Sequence, residues 1–590
     1  MNTNSIFSTL NMKLFKNLSL ISLSIIIFSC GGGPDDSANP DDDSILGGTF
    51  SMPVGSYFKC IRPIEVQKLE TAQVYDQVLE GLVKYNPKTL EIEPALASEW
   101  NVSEDGLTYT FTLREGVVFQ DNPCFADGKG RALEPSDVIY SFENIYTNET
   151  SNRAYYNFNN TVVGGDEFYQ GTAESISGIT SSGNTVSFQI KEPSSVFLQK
   201  LATIFASIVP NESFETSEYM PVGTGPFTYD KSSNSELVKL CKNPNFWAQD
   251  ADGIQLPYLD TVIFEYHDNS DDQMDKFWEG GLSYIPNVPI TAVSEVLEER
   301  ISDFESDPPK YMLVSQPQLS TTYLEFNMTT PVLQNKKVRQ AINFAVNRKK
   351  LVEKIMKNQA YEIGKFGITP PLAKIFKDYD FEGIEESSYS YNPEEAKKLL
   401  AEAGYPGGKG FPSLSMQFRL GNDAYLIASE IQNQLRSVLN INIEIEGIEF
   451  NQLIENQALG KADIFRSTWF GDFPNPETFL VNAYGKIVPE SSDVPSYMNS
   501  SRYQNEAFDE AYLRGSQSGT QEESYAAFAE AEKILMDDAA FIILWYGEDM
   551  MLQQSNIQGL ETNGMRLLDL RSVYFQARKA QATEAADSVE

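Results

Sequence analysis

The sequence predicts a mixed α/β protein, with a β-rich first third and an α/β later half. Three patterns carry that expectation. Leu107, Tyr109, Phe111 and Leu113 alternate with three threonines, and Val186, Phe188 and Ile190 repeat the alternation. Such a strand rests one face on a core and shows the other to water, as in an antiparallel sheet. Between 414 and 445, a strand pattern (Leu414, Met416, Phe418), a helix pattern (Ile427, Ile431, Leu435) and another strand pattern (Ile441, Ile443, Ile445) follow one another. That order is a βαβ unit, which predicts parallel strands. Phe541–Tyr546 (FIILWY) reads as a fully apolar strand. No internal repeat is visible.

The remaining elements follow in chain order. Lys13 and Lys16 precede the apolar-rich run Leu20–Ser29, and Cys30 comes next. The run is short for the ~30 Å hydrocarbon core of a bilayer and reads as an export signal. It resembles a bacterial lipoprotein signal, with Ile-Phe-Ser-Cys in the lipobox place. The resemblance implies cleavage before Cys30 and a lipid on Cys30. Residues 1–29 are then a signal peptide, and residues 30–47, rich in Gly, Pro and Asp, a flexible acidic tether. Met12 would serve as well as Met1 for a start. The folded body begins near Gly48. Ala72–Leu82 reads as a helix. Val338, Ala341, Ile342, Ala345 and Val346 give Asn335–Met356 helical spacing. Arg339, amid Lys336, Lys337 and Arg348, reads as surface charge. Asn392 and Pro393 stand in cap positions for a helix Asn392–Ala403. Asp463–Trp469 reads as a strand running into the loop GDFPNP. Gly223, Thr224, Gly225 and Pro226 suit a tight structural connection.

Composition narrows the function. With 83 acidic residues against 45 basic and a net charge of −38, the chain is a poor partner for nucleic acid. Its 590 residues, 41% of them hydrophobic, suffice for two to four lobes. No second apolar run approaches the ~18 residues of a membrane span. The single histidine, His267, rules out a multi-histidine metal site. It sits in VIFEYHDNSDDQMD and reads as a strand end before a helix, with Asp271 or Asp272 near the cap. That Asp cluster lacks the glycine of a calcium loop. A secreted hydrolase would need a nucleophile–base pair, and no G-x-S-x-G is present. Outside the cytoplasm, Cys60, Cys124 and Cys241 allow one disulfide and one thiol. Cys60–Cys124 is slightly preferred, and the pairing stays open.

Five stretches in order now carry a resemblance: Tyr75–Val118 (YDQVLEGLVKYNPKTLEIEPALASEWNVSEDGLTYTFTLREGVV), Pro221–Phe227 (PVGTGPF) with NPNFW at Asn243–Trp247, Tyr323–Asn347 (YLEFNMTTPVLQNKKVRQAINFAVN), Tyr391–Gly404 (YNPEEAKKLLAEAG) and Ala462–Leu480 (ADIFRSTWFGDFPNPETFL). Over roughly Gly48–Phe575 the chain resembles the extracellular solute-binding proteins of family 5, the peptide-binding components of ABC importers. The resemblance implies a two-lobed periplasmic binding protein-like fold with an additional β-rich lobe and a ligand cleft between lobes. Lobe I would be discontinuous, comprising 48–72, 217–285 and 546–578. Lobe II would be 73–216, lobe III 286–545, and 579–590 a tail. Asp472, in a W-x-x-D arrangement with Trp469, would pair with a ligand's α-ammonium, and Trp469 would wall the cleft. Arg419, at the end of a strand, would hold a ligand carboxylate by a bidentate fork.

The implied function is capture of oligopeptides or dipeptides by a monomeric, lipid-anchored protein on the periplasmic face. Delivery would be to an ABC permease and its ATPase, without catalysis, cofactor or metal. Alternatives are the same fold with an oligosaccharide, opine or metal-chelate cargo, or a helical-repeat glycan-binding lipoprotein. One histidine disfavours the chelate, Asp472 disfavours sugar, and the βαβ pattern disfavours the helical repeat. Asp121–Glu134 and Tyr57–Glu65 depart from the family pattern and leave peptide length and side-chain preference open.

Overall fold

The computed structural model describes residues 46–214, 219–288, 292 and 299–576. The export signal, Cys30, nearly all of the tether and the C-terminal tail lie outside the described residues. No helix among the described residues is long and apolar enough to cross a membrane.

Three main sheets organise the body. In the first, Thr49–Val54 runs parallel to Thr261–Tyr266, which pairs antiparallel with Leu237–Lys242, itself paired with Phe227–Tyr229. Phe50, Met52, Leu240 and Phe264 bury one face against Val74, Tyr75, Val78 and Leu79. Leu568, Leu570 and Val573, from the end of the chain, close the same core.

The second sheet is antiparallel, in the order Ala97–Val102, Thr108–Leu113, Thr185–Gln189 and Ile179–Ser182. The alternation legible in sequence is realised here. Tyr109, Phe111 and Leu113 are buried while the intervening threonines are half-exposed. Phe111 meets Phe188 edge-on at 5.8 Å, and Phe142 of the helix Pro135–Ile145 packs on Phe188.

The third sheet has seven strands. Leu414–Arg419 lies parallel to both Ile443–Ile448 and Ile464–Phe470, as the βαβ reading expects. Ile464–Phe470 pairs antiparallel with the long strand Tyr311–Phe326, which pairs with Phe541–Gln554. Residues 541–546 are buried throughout, with distinct cores on the two faces of the sheet. The ladder between the two long strands slips register between Pro317 and Thr321. Below the slip, Phe541–Gln554 also pairs with Tyr284–Ile285; above it the two strands belong to the sheet's main body.

Several local expectations are corrected. The helix expected over Ala72–Leu82 is Leu69–Tyr75, and the chain then turns. The amides of Val78 and Leu79 both return to Tyr75 O, and Val83–Tyr85 forms a short strand. The turn lies against Gly223 and Gly225: a Cβ on Gly225 would stand 2.7 Å from Val78 O. Only glycine admits that approach. The helix read over Asn335–Met356 breaks in two. Asn335 caps Lys336–Ala345, and Asn347 caps a new turn whose entry is fixed by its own amide donating to Gln434 Oε1 at 2.6 Å.

Arg339 is not surface charge but is 6% exposed. Its guanidinium donates to the carbonyls of Leu333, Gln334 and Asp538, so every branch of the fork meets an acceptor. Asn392 caps Pro393–Glu402 as expected. As expected, His267 follows the strand Thr261–Tyr266, and Asp271 and Asp272 stand in the first turn of the next helix, which Asn269 caps. Cys60, Cys124 and Cys241 are all free thiols, so the slight preference for a Cys60–Cys124 bridge is not realised. Cys241 donates to Asp230, while Cys124 packs beside Phe119 and Phe125.

Candidate functional site

The strand Ile464–Phe470 ends at Gly471, whose amide donates to Leu319 O at 2.9 Å. Asp472 comes next, its own amide donating to Thr478 Oγ1 at 3.1 Å. These two backbone bonds aim the Asp472 side chain beyond the end of the strand. In α/β sheets that edge is where ligands collect.

The Asp472 side chain is exposed, at the head of a stretch, Phe473 to Leu480, that is buried throughout. Loss of hydration pushes its pKa up to about 6, only partly offset by the Thr478 hydroxyl. No cation among the described residues forms an ion pair with it. The neighbouring Phe473 packs with Tyr85, Leu90 and Val196, residues from the N-terminal third. The Tyr85 hydroxyl is pushed well up, by burial first and then by the charge of Asp472. Ser195 and Ser524 (3.2 Å) and Lys200 and Glu477 (3.8 Å) add further links between these regions. Asp472 therefore sits at the seam between the third sheet and the N-terminal third.

Trp469 is half-buried on the core beneath the sheet. Its Nε1 is buried without a hydrogen-bond partner, as is Oγ1 of Thr321, the residue opposite it in the ladder. Buried polar atoms left unpaired cost roughly 1–3 kcal/mol each, so each of these two would gain from a partner.

Arg466, on the same strand, was not singled out from sequence. Its guanidinium lies 5.3 Å from the Trp545 ring centroid, and its Nε is buried without a partner. Burial pulls its pKa down to about 10, and no carboxylate among the described residues pairs with it. The signal was in the sequence: a charged residue within the apolar run of ADIFRSTWF, three residues before Trp469.

Arg419 is brought less close. It ends Leu414–Arg419, is exposed, and covers the Phe450 ring at 5.3 Å. Phe418 pairs with Arg466 in the parallel ladder, which puts Arg419 beside the strand of Asp472 and Trp469 but on its flank. Around Arg419 the surface is apolar: Leu420, Tyr425, Phe450 and Ile454 are all exposed. Gly223–Pro226 contributes scaffold, as the sequence predicted.

Comparison with known proteins agrees with this architecture. The profile of bacterial extracellular solute-binding proteins, family 5 Middle, matches residues 91–487. A probable di/tripeptide-binding protein of Pseudomonas aeruginosa is 27% identical over 83% of this chain and 88% of its own. A heme-binding protein A of Haemophilus influenzae is 26% identical over 90% of this chain and 93% of its own. A periplasmic binding protein associated with an ABC transporter in Helicobacter pylori, solved with the peptide STSA, superposes with a TM-score of 0.72. It shares 24% identity and covers 90% of this chain and 98% of its own. The fold class read from sequence is thereby borne out, and the chain belongs to the bacterial extracellular solute-binding proteins of family 5.

Proposed function

We propose that this protein captures short peptides outside the cytoplasm and passes them to an ABC permease and its ATPase. One observation carries the reading. A carboxylate without a cation, Asp472, and a guanidinium without an anion, Arg466, lie six positions apart on one strand and its loop. Among the described residues neither has a counter-charge, and a peptide with free termini supplies both. Its ammonium would meet Asp472 and its carboxylate Arg466, with Arg419 available on the flank for a longer ligand. Trp469 Nε1 and Thr321 Oγ1 are cross-strand neighbours on the face of the sheet opposite Arg466, and would offer further partners near the Asp472 end. In a narrow cleft these pairs strengthen because water is excluded, provided every hydrogen bond is made.

In this reading, lobe I (48–72, 217–285 and 546–578) and lobe III (286–545) close on the peptide while lobe II (73–216) flanks them. Binding, closure, docking and release complete the cycle, and no covalent step occurs. Cys30 carries a lipid that tethers the monomer to the membrane, with residues 30–47 as the leash. Delivery to a permease is supported by family membership. Replacing Cys30 with Ala should release the protein from membranes into the soluble extract; retention in the membrane fraction would refute the anchor.

The deciding experiment is mass spectrometry of small molecules released from the purified protein, followed by calorimetry with the peptides found. Short peptides whose affinity collapses in Asp472→Asn support the proposal. A single non-peptide compound bound equally well by Asp472→Asn would overturn it and favour another cargo on the same fold.

A further inference from the structure

Side chains fill the register slip between the two long strands. Gln318 donates to Asp549 Oδ1 at 2.6 Å, and Ser320 donates to Gln318 Oε1 at 2.7 Å. Arg566 reaches in from the C-terminal segment. Its Nε donates to Asp549 Oδ2 at 2.6 Å, and a second guanidinium nitrogen donates to Oδ1. Asp549 is 2% exposed, so this is a buried carboxylate gripped by a fork. Gly547 lines the gap: a Cβ there would fall 2.2 Å from Gln318 Oε1 and 2.3 Å from Ser320 Oγ.

The backbone around Arg566 is held just as firmly. Arg566 adopts φ +57°, a left-handed conformation that a non-glycine residue keeps only when its surroundings enforce it. Asn563 caps the turn by accepting from the amides of Met565 and Leu567, and Gln73 donates to Arg566 O at 3.0 Å. The outer face of the guanidinium lies 5.2 Å from the centroid of Phe470, the last residue of the strand leading to Asp472. Leu319, inside the slip, donates to Gly564 O at 2.6 Å and accepts from the Gly471 amide. One step in the ladder therefore grips both the C-terminal turn and the residue directly before Asp472.

We propose that Arg566 is a positioning residue for ligand capture: through Asp549 and Phe470 it fixes the Phe470–Asp472 segment against the register slip and so sets where the Asp472 carboxylate points. The inference rests on the reading of Asp472 as the ligand anchor. The guanidinium is required for its shape as well as its charge. A lysine keeps the charge but neither spans both Asp549 oxygens nor offers Phe470 a planar cation.

The test compares R566Q, R566K, F470L, the pair R566Q/D549N and R566Q/F470L in the full-length protein. The paired change D549N removes the buried charge that R566Q alone would strand, which keeps a folded variant in hand. Hydrogen exchange without ligand comes first, at the Leu319 and Gly471 amides. Exchange about tenfold or more faster in R566Q and in R566Q/D549N, with R566K between them and wild type, is expected. Peptide affinity comes second, with the peptide identified by mass spectrometry. A loss of about tenfold to hundredfold is expected for R566Q, mostly in dissociation rate, and R566Q/F470L should lose no more than R566Q alone. Unchanged exchange at both amides overturns the proposal whatever the ligand proves to be. Affinity within twofold of wild type in R566Q, or losses in R566Q and F470L that simply multiply, overturns it as well. If the wild type binds no peptide, the peptide reading fails by itself, and the exchange measurement still decides the role of Arg566.

Discussion

Arg339 and Arg466 are the same residue type, each withdrawn from bulk water in the same half of the molecule, yet they have opposite surroundings. The fork of Arg339 is spent on three carbonyls that close the helix Lys336–Ala345 onto the chain near Asp538. Arg466 faces an indole ring and, among the described residues, leaves a nitrogen unpaired and meets no carboxylate. The comparison teaches how to tell scaffold from site in this fold. Arg339, its partners all internal, holds the protein together, whereas under the proposed function the unmatched Arg466 is the one a ligand would complete.

Breaking the scaffold member should give the largest effect. Arg339→Met leaves three buried carbonyls without donors and should cost ~3 kcal/mol of stability. Chemical denaturation checks this, and the folded fraction should bind with unchanged affinity. Asp472→Asn should do the reverse. Peptide affinity should fall about 100-fold by calorimetry, as the ligand ammonium loses its counter-charge. The melting temperature should hold or rise. An Asp472 pKa raised to about 6 means the folded state binds the proton more tightly than the unfolded state. Ionisation therefore costs stability as pH rises through the window from about 4 to about 6, and the neutral amide escapes that cost at pH 7. Arg466→Gln should weaken binding by about 30-fold without loss of stability, because it removes a charge that no carboxylate among the described residues balances.

Acidity sharpens the comparison without mutation. Only ionised Asp472 pairs with an ammonium, so affinity should fall about tenfold between pH 7 and pH 5 and level off above pH 7. Titration calorimetry at several pH values, with Asp472→Asn as the flat control, would show it. Arg419→Ala should have the smallest effect, under about threefold on a dipeptide, since an exposed cation lying on Phe450 is already well hydrated. A larger loss with longer peptides would assign Arg419 to their distal end.

Much of this was legible in the chain itself, for physical reasons. Tyr109, Phe111 and Leu113 alternate because a pleated strand has two faces, and that period survives any tertiary context. Leu414–Ile445 announced its parallel strands because the helix between them carries its own period. The seat of Asp472 and Trp469 was legible through motif, since strand end and loop are contiguous in sequence. What stayed hidden depends on distant partners. Arg339 looked like surface charge because the carbonyl that buries it belongs to Asp538, 199 residues away. The helix expected to reach Leu82 stops at Tyr75, with Gly223 and Gly225 packed against the turn that follows. Arg466 was passed over because a charge in a strand reads as edge exposure until its neighbours are known.

The first sheet has a consequence for the protein's birth. Its core joins Phe50 and Met52, near the start of the body, to Leu570 and Val573, near its end. A ribosome delivers these partners several hundred residues apart, so the N-terminal strand waits, unclosed, for nearly the whole of synthesis. Closure of this core is therefore among the last steps open to the body. The two ends of the body meet only once the final segment is available, and the first sheet's core is completed with them.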